Sequence, residues 1–235
     1  MTQALGERMV ANYEYRTRYM LPRRTYTIIR VDGKTFHSLE LEKPFDETLT
    51  RAMNEAAFAL CEEAQGCRFA YAMSDEISFL LTDFEKTTTE AWFDANLQKI
   101  VSVSSSIVTA AFNENFDTVC HFDARVFTIP DPVEVENYFI WRQRDCVRNS
   151  ISMLARSLYS HKQCDNKNSS ELQEMCFKAG KNWNDVSVEN KRGRVFERME
   201  FSDKDIKRHR WEVFPAFSFT EERESLVNAI HGGGS

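Results

Sequence analysis

The chain has 235 residues, of which 42% are hydrophobic, and a formal net charge of −6. This size supports one large domain or a domain with an appended lobe, and only 8 glycines and 5 prolines exclude a fibrous or repeat-built protein. The six cysteines lack paired or zinc-like spacing, which predicts reduced, buried thiols in a cytoplasmic protein. Neither a signal peptide nor a membrane span is predicted.

The first half of the chain predicts alternating strands and helices. Asp46 suits the N-cap of the first long helix, and Gly66 suits its C-terminal stop. The resulting order, β-α-β-β-α-β, is typical of a ferredoxin-like α+β sheet, in which the first and third strands are antiparallel neighbours. The predicted strands are 25–31, 67–72, 77–81 and 119–129, and the predicted helices are 47–65 and 89–113.

The second half is predicted to be mainly helical. The sequence pattern favours helices at 132–158 and 170–179, followed by a short strand pair at 193–201 and 210–213. We therefore predict a palm-like catalytic domain over residues 1–131 and a helical lobe with a basic strand pair over 132–231. Residues 232–235, Gly-Gly-Gly-Ser, are typical of a linker and are left out of the fold prediction.

Two acidic motifs are predicted to meet at one edge of this sheet. Asp32 ends the first strand, and Asp75 lies in the turn before the third, so antiparallel pairing brings them together. With the carbonyl of Gly33 they make an oxygen-rich site that suits Mg²⁺, and two such ions support nucleotidyl transfer. Glu76 is a further catalytic candidate, although strand alternation favours a role in orienting a ligand. Ordinary polar turns remain the alternative for both motifs.

The loop behind Asp32 is a candidate phosphate-binding segment. From Lys34 through Thr35 and Phe36 to His37 it offers successive backbone N–H groups, a cation and an imidazole. Lys43, shortly before the first long helix, could reach a triphosphate as a point charge. A surface lysine and a loop histidine packed on its neighbour are the alternatives.

Several motifs in the same order resemble those of the tRNA-histidine guanylyltransferase superfamily. The resemblance covers roughly residues 8 to 200, and it implies 3′-to-5′ nucleotide addition at the 5′ end of tRNA on a polymerase-like palm. The matching stretches are R-V-D-G-K-T-F-H at 30–37, K-P-F-D at 43–46, A-Y-A-M-S-D-E-I-S-F at 70–79, F-D-A-R-V at 122–126 and Y-F-I-W-R-Q-R-D at 138–145.

This resemblance also implies ligands and an assembly. It implies tRNA as the partner, ATP and GTP or another nucleoside triphosphate as substrates, two Mg²⁺ ions as cofactors, and a homotetramer. The positions that match the functional residues of the family are Asp32, Gly33 and Asp75 for the metals, Lys34 to His37 with Ser74 for the nucleotide, and Lys43 for the triphosphate.

One stretch departs from the enzymes that add a single G to histidine tRNA. Those enzymes carry H-I-N-N-L-Y after W-R-Q-x-D-C, whereas here Val147 replaces the histidine and Asn149 is the one asparagine retained. The stretch instead resembles the guanylyltransferase-like proteins of bacteria and phages, which rebuild truncated tRNA 5′ ends from a template. The candidate contacts to tRNA or triphosphate, although basic residues are often merely solvated, are Arg125, Arg148, Asn149, Lys191, Arg192 and Arg194.

Three other functions stay open at this point. Addition of a single G to histidine tRNA would use the same chemistry. A nucleotide cyclase acting on free triphosphate would leave the basic residues of the second half without a role. A non-catalytic tRNA-binding module would leave Asp32, Asp75 and Lys43 without one.

Overall fold

The computed structural model describes residues 4–203 and 206–231, which form one six-stranded sheet and eight α-helices. The strands are β1 (Tyr26–Gly33), β2 (Cys67–Met73), β3 (Glu76–Leu81), β4 (Phe122–Ile129), β5 (Arg194–Asp203) and β6 (Ile206–Pro215). The helices are α1 (Leu5–Met9), α2 (Glu47–Glu63), α3 (Leu97–Glu114), α4 (Pro132–Leu158), α5 (His161–Cys164), α6 (Ser169–Lys178), α7 (Val188–Arg192) and α8 (Arg223–His231).

The sheet has the strand order β4-β1-β3-β2-β5-β6, and every neighbouring pair is antiparallel. Its first four strands form the ferredoxin-like arrangement, so the predicted β-α-β-β-α-β order and the central β1–β3 pair are confirmed. β5 joins the free edge of β2, so the strand pair of the second half extends the sheet of the first. The division of the chain at residue 131 stays a prediction.

The two faces of the sheet have different partners because side chains alternate along each strand. Ile29 and Val31 of β1 are fully buried in the core formed with α2 and α3. Ile28 of the same strand packs on the opposite face, in a second core to which α4 and α8 contribute. Arg30 and Asp32 continue this second face, which places the predicted metal ligand on the side that α4 covers.

Helix α2 begins where Asp46 predicts and ends at Glu63, two residues before the predicted bound. The Asp46 carboxylate accepts a hydrogen bond from the Leu49 N–H at 2.8 Å, which satisfies one of the free N–H groups of the first turn. Gly66 has a φ of 82°, and a Cβ there would lie 2.4 Å from the carbonyl oxygen of Thr82. Only glycine therefore fits this close turn into β2.

Helix α3 was predicted to begin at Thr89, and this boundary is wrong. The helix begins at Leu97, after Asn96, whose side chain caps its first turn. The preceding segment Trp92–Ala95 is a 3₁₀ turn in which Phe93 has a φ of 50°. Its aromatic residues match helical periodicity, but they pack against the core from a turn.

The second half contains α4 and α6 close to their predicted bounds, and strands longer than predicted.

β4 begins at Phe122 rather than at Val119, because the Cys120 N–H is bonded to the Asn113 side chain at 2.8 Å and is withdrawn from the strand ladder. Four short helices, α1, α5, α7 and α8, were not predicted, since none is long enough to show a clear helical periodicity. The tail 232–235 lies outside the described residues.

All six cysteines are free and buried, as predicted. Within the part of the chain that the structure describes, no helix combines the length and apolar character required to cross a membrane.

Candidate active site

The ends of β1 and β3 bring two aspartates to one edge of the sheet. In the register of these strands, Asp32 lies opposite Glu76, the residue that follows Asp75. The Gly33 N–H donates to the Asp75 carbonyl oxygen at 2.9 Å. Ser74 adopts a left-handed conformation with a φ of 48°, which turns the chain sharply between β2 and β3. The predicted meeting of the two motifs is therefore present in the fold.

Burial and a neighbouring carboxylate disfavour the ionised forms of both aspartates. Burial raises the pKa of the Asp75 carboxyl, a hydrogen bond from Ser74 lowers it, and the charge of Asp32 raises it. Burial likewise raises the pKa of the Asp32 carboxyl, with a further contribution from Asp123. Each pKa reports a charge that lacks full compensation from the protein.

The residues at this edge of the sheet, Asp32, Gly33 and Asp75, fit a hard divalent cation. This edge is called the metal edge below. Such a cation would offset the repulsion between Asp32 and Asp75, and the carbonyl of Gly33 would add a third oxygen. Among residues 4–203 and 206–231, no cluster of three or more His, Cys, Asp or Glu side chains is arranged to hold a metal. The protein would therefore supply two carboxylates and leave the other positions to water and substrate phosphates, as Mg²⁺ prefers.

A third aspartate lies on the other side of Asp32 and was not assigned a role from the sequence. Asp123 of β4 is directly opposite Asp32, and Arg125 of β4 is opposite Arg30 of β1. The side chains of Asp123 and Arg125 are more than half exposed, with 3.8 Å between their charged groups. The pairing of β4 with β1 is the signal that could have revealed this neighbour.

Glu76 is bound by an arginine of the second half of the chain. Arg142 of α4 donates from Nε to one oxygen of Glu76 at 2.7 Å and from Nη2 to the other at 2.9 Å. Both residues are buried. The same guanidinium donates to Asp145 at 3.0 Å. A catalytic role for Glu76 stays a prediction, and the sequence had assigned no role to Arg142 or Asp145.

The loop after Asp32 is held by its backbone and by one aromatic side chain. The Lys34 N–H donates to the His121 carbonyl oxygen at 2.8 Å. The Phe36 side chain is 5% exposed and packs against Phe112 and Phe122. A Cβ on Gly33 would lie 2.4 Å from the Phe36 ring, so glycine is required there.

These contacts separate the roles within the loop. The buried Phe36 side chain cannot stack on a nucleotide, so it serves as the anchor of the loop, and a backbone contact from it stays a prediction. Lys34, Thr35 and His37 are exposed. The charge of His37 lowers the pKa of the Asp75 carboxyl, which places the imidazole within electrostatic range of the metal edge.

Lys43 lies in a second short loop before α2. The carboxylate of Asp46 closes this loop, since it accepts from the Glu42 N–H at 2.9 Å as well as from the first turn of the helix. Lys43 is exposed within the closed segment. A contact between Lys43 and a triphosphate stays a prediction.

A cavity of about 50 Å³ connects the Ser74 turn with the second half of the chain. Asn149 of α4 and Arg194 of β5 line this cavity together with Ser74. Two of the six candidate contacts to tRNA or triphosphate therefore lie beside the Ser74 turn. Arg194 is only 3% exposed, and its Nε donates to the Asn54 side chain at 2.6 Å. Arg194 therefore lies inside the protein at the cavity wall, and its contact with tRNA or triphosphate stays a prediction.

The remaining candidates differ in their surroundings. Arg148 is exposed and forms an ion pair with Asp145. Lys191 donates to the carbonyl oxygen of Asn184 at 2.7 Å and lies over the ring of Trp183. Contacts of these residues, and of Arg192, with tRNA or triphosphate stay predictions.

Comparisons with known proteins agree with this geometry. The family described as "Thg1: tRNAHis guanylyltransferase" matches residues 7–130. A tRNA(His) guanylyltransferase of Debaryomyces hansenii is 32% identical over 209 residues, which cover 78% of this chain and 77% of that protein.

Two solved structures match nearly the whole chain. A bacterial tRNA(His) guanylyltransferase (Thg1)-like protein in complex with ATP is 38% identical, with a TM-score of 0.88 over 97% of this chain and 99% of that one. The complex of such a bacterial protein with GTP has a TM-score of 0.85 at 38% identity, over 97% of this chain and 100% of that one.

Proposed function

The chain belongs to the Thg1 family of tRNAHis guanylyltransferases, which are nucleotidyltransferases, and we propose that it adds nucleotides in the 3′-to-5′ direction to the 5′ end of tRNA. The observation that carries this proposal is the pair of aspartates, Asp32 and Asp75, at one sheet edge beside a loop with an exposed lysine, Lys34. The ATP and GTP complexes of the bacterial proteins support nucleoside triphosphates as substrates.

In this proposal the two aspartates and the Gly33 carbonyl hold two Mg²⁺ ions. When bound, the metal supplies neutralisation of phosphate charge and activation of the attacking hydroxyl. The chain itself fixes the spacing of Asp32 and Asp75 through the bond from the Gly33 N–H and the left-handed Ser74 turn. No protein nucleophile is required, because phosphoryl transfer depends on positioning and charge neutralisation.

The reaction joins an incoming nucleotide to an activated tRNA end. The tRNA carries a 5′ triphosphate, or its 5′ monophosphate first attacks the α-phosphate of ATP, which joins AMP to the tRNA end and releases pyrophosphate. The 3′-hydroxyl of the incoming nucleotide attacks the 5′ α-phosphate, the new P–O bond forms, and AMP or pyrophosphate leaves. Lys34 and Lys43, with Arg125 near the end of β4, offset the negative charge of the phosphates.

We propose template-dependent repair of truncated tRNA as the specific activity. Its support is the replacement of the family histidine by Val147, in a segment of α4 that also carries the cavity-lining Asn149. Addition of a single G to histidine tRNA is the second candidate, favoured by the name of the Debaryomyces relative. A homotetrameric assembly and a cytoplasmic location are further proposals from the resemblance, and sedimentation of the purified protein tests the first.

One assay separates these activities. The protein is incubated with Mg²⁺, labelled nucleoside triphosphates and two tRNAs, one lacking its first nucleotide and one intact histidine tRNA. We expect extension of the truncated tRNA by the nucleotide complementary to the opposite strand, whichever base that is. Incorporation of G alone, on histidine tRNA alone, supports the second candidate, and consumption of triphosphate without tRNA contradicts both.

A further inference from the structure

Glu76 lies where it could become an additional metal ligand. It follows Asp75 in the chain and lies directly opposite Asp32 in the β1–β3 register. Directly opposed residues of antiparallel strands have Cβ atoms about 4.5–5.5 Å apart.

Both oxygens of Glu76 are occupied by one guanidinium. Arg142 donates to each of them, and this paired geometry matches the planar fork of arginine to the two oxygens of a carboxylate. Arg142 is in turn fixed by Asp145 and by the Trp141 ring, whose centroid lies 4.4 Å from the guanidinium carbon. Glu76 is therefore held toward α4, within the face of the sheet that the helix covers.

A released Glu76 would change the character of the metal edge. Hard cations gain affinity with each added carboxylate. A third carboxylate from the protein would also fill a position otherwise left to a substrate phosphate, and catalysis needs that phosphate in place. Tighter metal binding would then accompany slower nucleotide transfer.

We propose that Arg142 is a positioning residue that holds Glu76 out of the coordination shell, so that the metal edge keeps two carboxylates. This inference rests on the proposed function, because it assumes that a divalent cation binds at Asp32 and Asp75. Arg30 does not share this role in the structure, since its Nε lies 3.9 Å from the nearer Glu76 oxygen, beyond a direct hydrogen bond.

Loss of an ion pair with a purely structural role should lower stability without changing metal affinity, and the chain contains such a pair for use as a control. At the far end of the same two strands, the Arg23 Nε donates to the buried Asp83 carboxylate at 2.5 Å. Replacing either arginine removes the guanidinium that is bonded to a buried carboxylate, which lowers stability. Only replacement of Arg142 leaves that carboxylate beside the metal edge.

The test measures metal binding without nucleotide and without turnover. Mn²⁺, used as a spectroscopic substitute, is titrated into the full chain and free Mn²⁺ is followed by electron paramagnetic resonance. We expect Arg142→Met to bind Mn²⁺ about tenfold more tightly than the parent protein. The double variant Arg142→Met with Glu76→Gln is expected to return to the parent affinity, and Arg23→Met to leave that affinity unchanged.

Turnover provides the second readout. With saturating tRNA, Arg142→Met is expected to lower kcat for extension by about a hundredfold. Arg142→Lys keeps the positive charge but cannot donate two parallel hydrogen bonds to Glu76, so the changes in Mn²⁺ affinity and in kcat should both be smaller. It takes the place of Arg142→Met in these measurements if the methionine variant does not fold. Melting curves in metal-free buffer identify the folded variants.

Equal Mn²⁺ affinity in the parent protein and both Arg142 variants overturns the inference. Tight binding that persists after Glu76→Gln also overturns it, because Glu76 would then not be the added ligand. If the parent protein neither binds Mn²⁺ nor extends tRNA, the proposed function fails instead, so the two failures are distinguishable.

Discussion

The carboxylates at the two ends of the central β1–β3 pair differ in the donors that surround them. At the end where β1 begins, Asp83 accepts from the Arg23 Nε at 2.5 Å and from the Arg24 N–H at 2.8 Å. At the other end, Asp32 and Asp75 are part-buried next to one another, and burial raises the pKa of both carboxyls.

The difference shows which carboxylates the fold uses for its own stability. A buried carboxylate with a cationic partner and a backbone donor is compensated within the chain. The pKa values of Asp32 and Asp75 stay raised despite nearby arginines and hydrogen-bond donors, so these charges are only partly compensated, and a bound cation would relieve the remaining cost. An aspartate next to the β1–β3 pair therefore has a structural role at one end, as Asp83, whereas Asp32 and Asp75 at the other end are candidates for binding a cation.

The largest expected effect is loss of activity from the metal end. Asp75→Asn, and separately Asp32→Asn, should lower tRNA extension by at least about 10²–10³-fold, measured with labelled nucleoside triphosphates. The Tm in metal-free buffer should stay the same or rise, because the substitution removes a part-buried charge beside another of the same sign. A fall in extension accompanied by a large fall in Tm would erase the distinction between the two ends.

Addition of a divalent cation should stabilise the parent protein through the end that carries Asp32 and Asp75. Mg²⁺ at about 100 times its dissociation constant should raise Tm by roughly 5–10 °C, because it binds the folded state selectively. Differential scanning calorimetry measures this shift. The double variant of Asp32→Asn and Asp75→Asn should show none of it, whereas Asp83→Asn should retain it in full.

The compensated end should affect stability and not catalysis. Asp83→Asn should lower Tm by roughly 3–8 °C, because it weakens hydrogen bonds that two donors make to a charged acceptor. Extension activity per folded molecule, measured well below Tm, should match that of the parent protein. A loss of activity larger than tenfold would contradict the assignment of this end as structural.

The smallest expected effect concerns the exposed arginine of α4. Arg148→Ala should weaken tRNA binding similarly for different tRNAs and reduce the salt slope of log K by about 1, the value for one lost phosphate contact. Filter binding at several salt concentrations measures this. Arg156→Ala, an exposed arginine of the same helix outside the candidate set, is the control and should leave the slope unchanged.

The sequence was sufficient to predict the first four strands of the sheet and the edge at which Asp32 and Asp75 meet, but not the addition of β5 and β6 to that sheet. Strand alternation and the polar turns around Asp32 and Asp75 define the central strands, and antiparallel pairing then requires the two residues to converge. The sequence could not predict the partner of Glu76, because Arg142 is 66 positions away and its contact depends on how α4 crosses the sheet. That crossing is set by packing among many side chains rather than by a local motif.

The errors in boundaries have a local cause. Trp92 and Phe93 extend the apolar pattern of α3 toward the N-terminus, so periodicity alone merges a turn with a helix. The capping side chain of Asn96 was the better signal for where the helix begins.

The pairing of β5 with β2 also determines the order in which the sheet can be completed. The Tyr71 hydroxyl of β2 donates to the Arg192 carbonyl just before β5, a contact that spans 121 positions of the chain. During synthesis β2 can pair with β3 at once, but its outer edge waits for more than a hundred further residues. Because β2 runs directly into the Ser74 turn, the strand that leads to this turn keeps an unpaired edge until β5 has been made. A pause in translation before β5 therefore leaves an unpaired edge, and aggregation through that edge competes with folding.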